Sequence, residues 1–237
     1  MDWKRILVGS EPLSTEDKAT IPLIEIQGKK LPIHQIKYNL YRGRWIEHNV
    51  PRAQLKWESE DVTFGYDWKS IYSIPFTITS STKLQSLQYR ITHRYFPTRR
   101  FLCIRGVVED PYCNKCGDIE TIQHYFAECY EIKIFWNDVI ERINQKLKPC
   151  HRFHDNVNGI IFGSFKTRSV VNLILLVAKQ FIASRRFKEE RICWDDFVPH
   201  LSRYYQMEKI IAIRGENIDK FKDKWTPFIS KDLKISV

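Results

Sequence analysis

The chain has 237 residues and carries 38 Lys or Arg against 28 Asp or Glu, a formal net charge of +10 with His neutral. Its 43% hydrophobic and 14% aromatic content suffices for a packed core and excludes global disorder. An excess of cations favours polyanionic partners, of which nucleic acid is the commonest soluble one, although a solvated basic surface without a partner has the same composition.

Residues 1–50 say least. The opening MDWKRILVGS lacks the apolar run of a signal peptide, from which an intracellular location, nucleus or cytoplasm, is expected. IPLIEI alternates weakly and reads as a short strand or extended segment. PIHQIKYNLYRGR, residues 32–44, places Ile33, Ile36 and Leu40 at helical spacing and reads as a short helix closed by Gly43.

Between 51 and 82, Trp57, Trp68, Ile71 and Tyr72 are apolar anchors. Asp67 is positioned to cap a short helix running to Ile74, with Pro75 as its stop, and TITSST reads as a loop. From Thr82 to Tyr95 the pattern strengthens. Thr82 and Gln85 have capping-box spacing, and Leu84, Leu87, Ile91 and Tyr95 form one apolar helix face. No Asp or Glu occurs from Trp68 to Val108, while seven Lys or Arg do. Arg90, Arg94, Arg99, Arg100 and Arg105 are the candidate phosphate contacts, because cations interleaved with Tyr89, Tyr95 and Phe96 suit a single strand whose phosphates meet charge and whose bases meet rings. A merely solubilising helix face fits the same residues.

The next stretch, CNKCGDIETIQHYFAEC, carries the strongest motif. Cys113 and Cys116 are two residues apart, His124 follows after seven, and Cys129 after four more. Three thiolates and one imidazole fill a tetrahedral zinc shell and leave no open position, so the motif predicts one structural Zn2+ and no catalysis. A helix from Ile119 to about Cys129, capped by Asp118, would put His124 and Cys129 roughly one turn apart, with Gly117 easing the turn before it. Disulfides are not expected in a reducing compartment.

Ile132, Phe135, Trp136, Val139, Ile140, Ile143 and Leu147 then predict a long amphipathic helix ended by Pro149, packed on Ile122, Tyr125 and Phe126. Cys150, His151 and His154 lack a ligand pair nearby and read as loop. VNGIIFGSF reads as a short extended segment, and Ser169 to Phe187 as a buried helix too short and too interrupted to span a membrane. Arg185 and Arg186 suit its C-terminus. Asp195 and Asp196 could pass for a metal-binding acidic pair, but they open a helical pattern of Phe197, Leu201, Tyr205 and Ile211, where first-turn acids are preferred; Pro199 is expected in that first turn. Phe221, Trp225 and Phe228 close the last helix on the core.

From about Trp57 to Phe228 the sequence resembles the C-terminal region of non-LTR (LINE-class) retrotransposon polyproteins, the part that holds the reverse transcriptase zinc-binding domain. KLQSLQYRITHRYFPTRRFL and PYCNKCGDIETIQHYFAECYEIKIFW carry the likeness, followed by VNLILLVAKQFIASRR and FKDKWTPF. Ile91, His93, Arg94, Pro97 and Thr98 match the Ile-x-His-Arg and Pro-Thr of the helix before the cluster, and Phe135 and Trp136 the Phe-Trp after it. The resemblance implies a part that helps hold RNA template or target DNA. No endonuclease and no polymerase palm accompanies it here, so the implied role is non-catalytic.

Together these readings predict a mainly α protein, an irregular helical assembly around a small Cys3His zinc module with little or no β-sheet. Three regions are expected: 1–56, a poorly defined N-terminal segment; 57–148, a basic helical arm plus the zinc module; and 149–237, a C-terminal helical region. The expected function is binding of RNA or single-stranded DNA, with no membrane partner. The alternatives are a zinc-organised protein-interaction module and an inert fragment of a reverse transcriptase gene.

Overall fold

The computed structural model describes residues 23–26, 29–32, 50–60, 67–147, 152–153, 156–163, 169–186 and 190–228. The chain divides into two compact units, Met1–Val50 and Pro51–Val237. In the first, β1 (Leu23–Ile26) and β2 (Lys29–Pro32) pair antiparallel, with Leu23 opposite Pro32 and Ile26 opposite Lys29. IPLIEI therefore does contribute a strand. The helix expected over 32–44 lies outside the described residues, except for Pro32, which ends β2.

The second unit is helical. In chain order it contains α1 (Arg52–Ser59), α2 (Trp68–Ile78), α3 (Thr82–Thr92), α4 (Arg99–Ile104), a π-helical turn (His124–Glu128), α5 (Tyr130–Lys146), α6 (Val157–Phe162), α7 (Ser169–Arg186), α8 (Trp194–Arg214), α9 (Ile218–Trp225) and a closing 3-10 turn (Thr226–Phe228). The expected irregular helical assembly is what forms, with the β1–β2 hairpin as the sheet among the described residues. The unit boundary falls at Val50/Pro51 rather than at 56/57, because Trp57 lies on α1 and is buried in the main core. Regions 57–148 and 149–237 share that one core.

α7 is the element that the others surround. Every residue from Val170 to Ile182 is buried, and α2, α3, α8, α9 and the π turn all pack on it. A helix hydrophobic nearly all round is stable in water only when enclosed in this way. Its three polar interruptions are absorbed internally. Lys179 donates to Gln88 Oε1 (2.5 Å) and to the Ile161 carbonyl (2.7 Å), Gln180 Oε1 contacts the His200 ring, and Asn172 is buried beside Gly163. Two acceptors match the two N–H groups of a neutral amine, and burial lowers the Lys179 ammonium to about 7. Burial also pushes His200 down to about 4. Among the described residues no helix is long and apolar enough to cross a membrane.

Several local expectations change once tertiary contacts act. Pro75 does not stop α2, which runs on to Ile78; Trp68, Ile71, Ile74, Pro75 and Ile78 are all buried, and that burial offsets the backbone bond a proline forfeits. Gln85 forms no capping box with Thr82 and instead donates to the Thr79 carbonyl at 2.8 Å, with Ser81 at the N-cap. α3 ends at Thr92, so Tyr95 is off its apolar face and exposed. VNGIIF is helix rather than extended chain, because the Asn156 side chain accepts the Gly159 N–H and caps it. Pro199 sits past the first turn of α8, which Asp195 and Asp196 do occupy. Ile211 is exposed, and Ala212 takes the buried position. α5 buries each predicted core residue from Ile132 to Ile143, and Trp225 and Phe228 are buried against the core as expected. Cys150, His151 and His154 lie outside the described residues.

Lys179 yields a pH prediction. The unfolded chain keeps that proton to about pH 10.4, whereas the folded chain releases it near 7, so between these values the unfolded state binds more protons and stability rises with pH. In urea denaturation of the wild type and Lys179→Met at stepped pH, the difference should shift toward the wild type by about 1.4 kcal/mol per pH unit between roughly pH 7.5 and 9.5. A flat difference would show that the folded protein keeps the charge.

Candidate metal centre and the adjacent cationic groove

The first half of the Cys3His motif folds as a knuckle on a minimal hairpin. Tyr112 and Ile119 form an antiparallel bridge, the Glu120 N–H donates to the Pro111 carbonyl at 2.9 Å, and the Cys113 N–H to the Asp118 carbonyl at 2.7 Å. Inside it, the Gly117 N–H donates back to the Cys113 carbonyl at 2.9 Å. Gly117 has φ +81°, a left-handed conformation that a side chain would resist, which fits its expected role in the turn. The Lys115 N–H points at Cys113 Sγ at 3.4 Å, so the backbone itself stabilises negative charge on that sulfur.

The second half departs from expectation in an informative way. Ile119 is in the bridge, not in a helix, and the helical segment starts after Thr121, whose hydroxyl accepts the His124 N–H at 3.0 Å. Thr121 caps it rather than Asp118, whose carbonyl is used in the knuckle. The turn His124–Glu128 is π-helical, closed by the Cys129 N–H on the His124 carbonyl at 3.0 Å. In a regular α-helix, residues five apart point about 140° away from each other. The widened i→i+5 turn reduces that divergence, and it turns a four-residue gap into a workable ligand pair.

The sulfurs of Cys113, Cys116 and Cys129 and a ring nitrogen of His124 all lie within 4.8 Å of one another, and Cys116 Sγ is 3.3 Å from His124 Nε2. Tetrahedral zinc with Zn–S near 2.3 Å and Zn–N near 2.0 Å sets its donors roughly 3.5–3.8 Å apart, so the set fits with small closing movements. Cys113, His124 and Cys129 are buried and Cys116 is exposed. The thiols do not titrate alike. Burial opposes ionisation of Cys113, but N–H donors and the His124 ring overcome it and hold that thiol at about 6. Burial and the neighbouring sulfurs push Cys116 up to about 12 and raise Cys129 as well. Sulfurs packed this closely compete for negative charge, a conflict that a bound divalent cation removes.

A second layer of contacts was not legible in the motif. Arg186, at the end of α7, donates to Cys113 Sγ at 3.1 Å, to Glu120 Oε2 at 2.8 Å and to the Tyr125 carbonyl at 3.2 Å, with its guanidinium 4.3 Å from the Tyr125 ring centroid. Glu120 also accepts the Arg99 N–H at 2.8 Å. Both ion-pair side chains are less than 10% exposed, at 8% and 7%. Helix-end electrostatics accounts for Arg186 only in part. Its sequence distance from Glu120 hid the pair, which ties the knuckle to the central helix.

Beside the centre lies a groove of about 520 Å³, formed by α1, the α3–α4 connection and α4. Among the described residues its charged lining is Arg52, Lys56, Arg94, Arg100 and Arg105, with no carboxylate, and Tyr95, Phe96 and Phe101 supply rings. Of the five arginines singled out from sequence, Arg100 and Arg105 stand exposed in the groove. Arg94 lines it but is committed elsewhere, bidentate to Glu60 at 2.8 and 2.9 Å and stacked 4.1 Å over Trp57. It also closes α3 at φ +61°, which those contacts help to hold. Arg99 pairs with Asp110 at 2.7 Å and does not line the groove, nor does Arg90, whose guanidinium is 5.9 Å from the Phe96 centroid. Arg52 and Lys56 escaped the sequence reading because they precede the acid-free run; their i,i+4 spacing on α1 was the available signal.

Fold and site thus define a helical protein with a Cys3His cluster able to hold one metal ion and a cationic groove next to it. No family model, curated protein or solved structure matches the chain.

Loss of Arg186 should loosen the cluster without touching a ligand. Arg186→Met strands the Glu120 carboxylate, so metal affinity measured by chelator competition should fall about 10- to 100-fold and stability by about 3–5 kcal/mol. Arg185→Met, which removes an exposed pair with Glu190, should cost about 1 kcal/mol or less and leave metal affinity unchanged.

Proposed function

We propose that this chain is a non-catalytic nucleic-acid-binding module that holds RNA or single-stranded DNA in the groove beside one structural Zn2+. The observation that carries this reading is a groove lined by five cationic side chains and the rings of Tyr95, Phe96 and Phe101, with no carboxylate among the described lining residues, in a chain of formal charge +10. Charge of that kind tracks phosphates, and rings beside it stack on bases without demanding a sequence. The resemblance to the tail of LINE-class reverse transcriptases points the same way.

Zinc is the metal the donor set favours. Three thiolates and an imidazole are soft, tetrahedral ligands, and four protein donors leave no open position for a reacting water. Cys113, Cys116, His124 and Cys129 would hold the ion, and its contribution is to bind the knuckle to the π turn. A protein-docking module is the second reading, favoured by Met207, Ile210, Ile211 and Ile213, each about half exposed on α8.

Elemental analysis of the purified protein should give one Zn2+ per chain, and Cys116→Ser should lose it along with much of the helical signal. In titrations with unstructured RNA and single-stranded DNA, affinity should fall linearly in log salt, and Arg100→Ala/Arg105→Ala should reduce the slope by about 1.4. A slope unchanged in the double variant would remove the groove from the binding path. A partner bound with no salt dependence would favour the docking reading.

A further inference from the structure

A second cavity of about 300 Å³ opens between α2 and α3, and it shares Pro51 and His93 with the cationic groove. Its chemistry is the opposite of its neighbour's. Among the described residues its lining holds no Lys, Arg, Asp or Glu, and much of its wall is the rings of Tyr72, Phe76, Tyr89 and His93. His93 has Tyr72 on one contact at 5.3 Å and 23° and Tyr89 on another at 4.2 Å and 36°. Phe76 and Tyr89 are 64% and 52% exposed, an unusual outlay of aromatic surface beside a pocket. The Tyr72 hydroxyl is buried and has no hydrogen-bond partner among the described residues, although a buried polar group normally finds one. Burial lowers the His93 imidazolium, which favours a neutral ring there.

We infer that this aromatic pocket is a subsite for one unstacked nucleobase of a single strand whose phosphates run along the adjacent groove. The inference rests on the nucleic-acid reading of that groove and adds to it where a base goes. A flat, neutral, aromatic ligand satisfies each feature: ring faces to stack on and no charge to pair. Cations a few residues away keep the strand's backbone out of the apolar pocket and in the groove. A charged ligand would meet no charged partner among the described lining residues, and a purely aliphatic one would leave the ring faces unused.

The test compares three ligands on the full chain: an unstructured RNA, the DNA of the same sequence, and that DNA made abasic throughout. Phe76→Ala and Tyr89→Ala change exposed rings, so metal content and helical signal should be retained. Each should weaken RNA and DNA by similar factors of about 5 to 100, the worth of one stacked base, with the salt slope unchanged. Neither should alter binding of the abasic strand, and Tyr89→Phe, which keeps the ring, should bind like the wild type. Wild-type affinity for intact strands in both alanine variants, or an equal loss on the abasic strand, would overturn the base subsite. If Arg100→Ala/Arg105→Ala still weakened binding in that case, the groove reading would stand alone. If the wild type bound neither RNA nor DNA, both readings would fall.

Discussion

Four side chains from two short, irregular pieces of backbone meet within 4.8 Å, and only the second piece is anchored in the core by large apolar side chains, Tyr125 and Phe126. The knuckle around Cys113 and Cys116 is held by three main-chain bonds, two of which make its bridge, and most of its residues are exposed. The π turn carries His124 and leads into Cys129, and its helical geometry is of the rare, widened kind. A shared cation would supply an attraction that joins them and would neutralise thiols that otherwise raise one another's pKa.

From that junction the constraint spreads in two directions. Tyr125 and Phe126 follow His124 directly and are buried with Phe96, with ring centroids 4.7–4.9 Å apart. Trp136 of α5 donates its indole N–H to the Phe126 carbonyl at 2.6 Å, so the long helix is locked to the turn by a buried polar contact as well as by area. On the other side Arg186 reaches from α7 to Cys113 and Glu120, and Glu120 in turn holds the start of α4 through the Arg99 N–H. The groove wall that α4 forms is therefore fixed by the same network that orients the sulfurs. The Cys3His cluster, the central helix and the groove wall are thus joined by one set of contacts.

The two concavities differ in chemistry: among the described residues the larger is lined by cations without carboxylates, and the smaller by rings without charged side chains. Arg94 sits between the roles: it lines the groove, yet its guanidinium is paired with Glu60 and stacked on Trp57, so it shapes the wall more than it offers a free charge. Arg100 and Arg105, at the two ends of α4, have no acidic partner among the described residues and are exposed, with Arg105 5.0 Å from the Phe101 ring centroid.

The sequence alone determined the helical class, the amphipathic faces of α3 and α5, the buried character of α7 and the identity of the four metal-ligand candidates. These rest on periodicity and on the spacing of rare side chains, which are local quantities. Local rules failed where burial outweighs propensity, as at Pro75, or where a side chain chose a distant partner, as Gln85 chose Thr79. Only the tertiary structure decided that the x4 gap would be bridged by a π turn, that Lys179 would be enclosed as a donor to Gln88 and Ile161, and that Arg186 would cross 66 residues to Glu120. It also decided which cations of the basic run are spent on carboxylates and which stand exposed. That partition depends on which acids folding brings near, and separation along the chain carries no information about it.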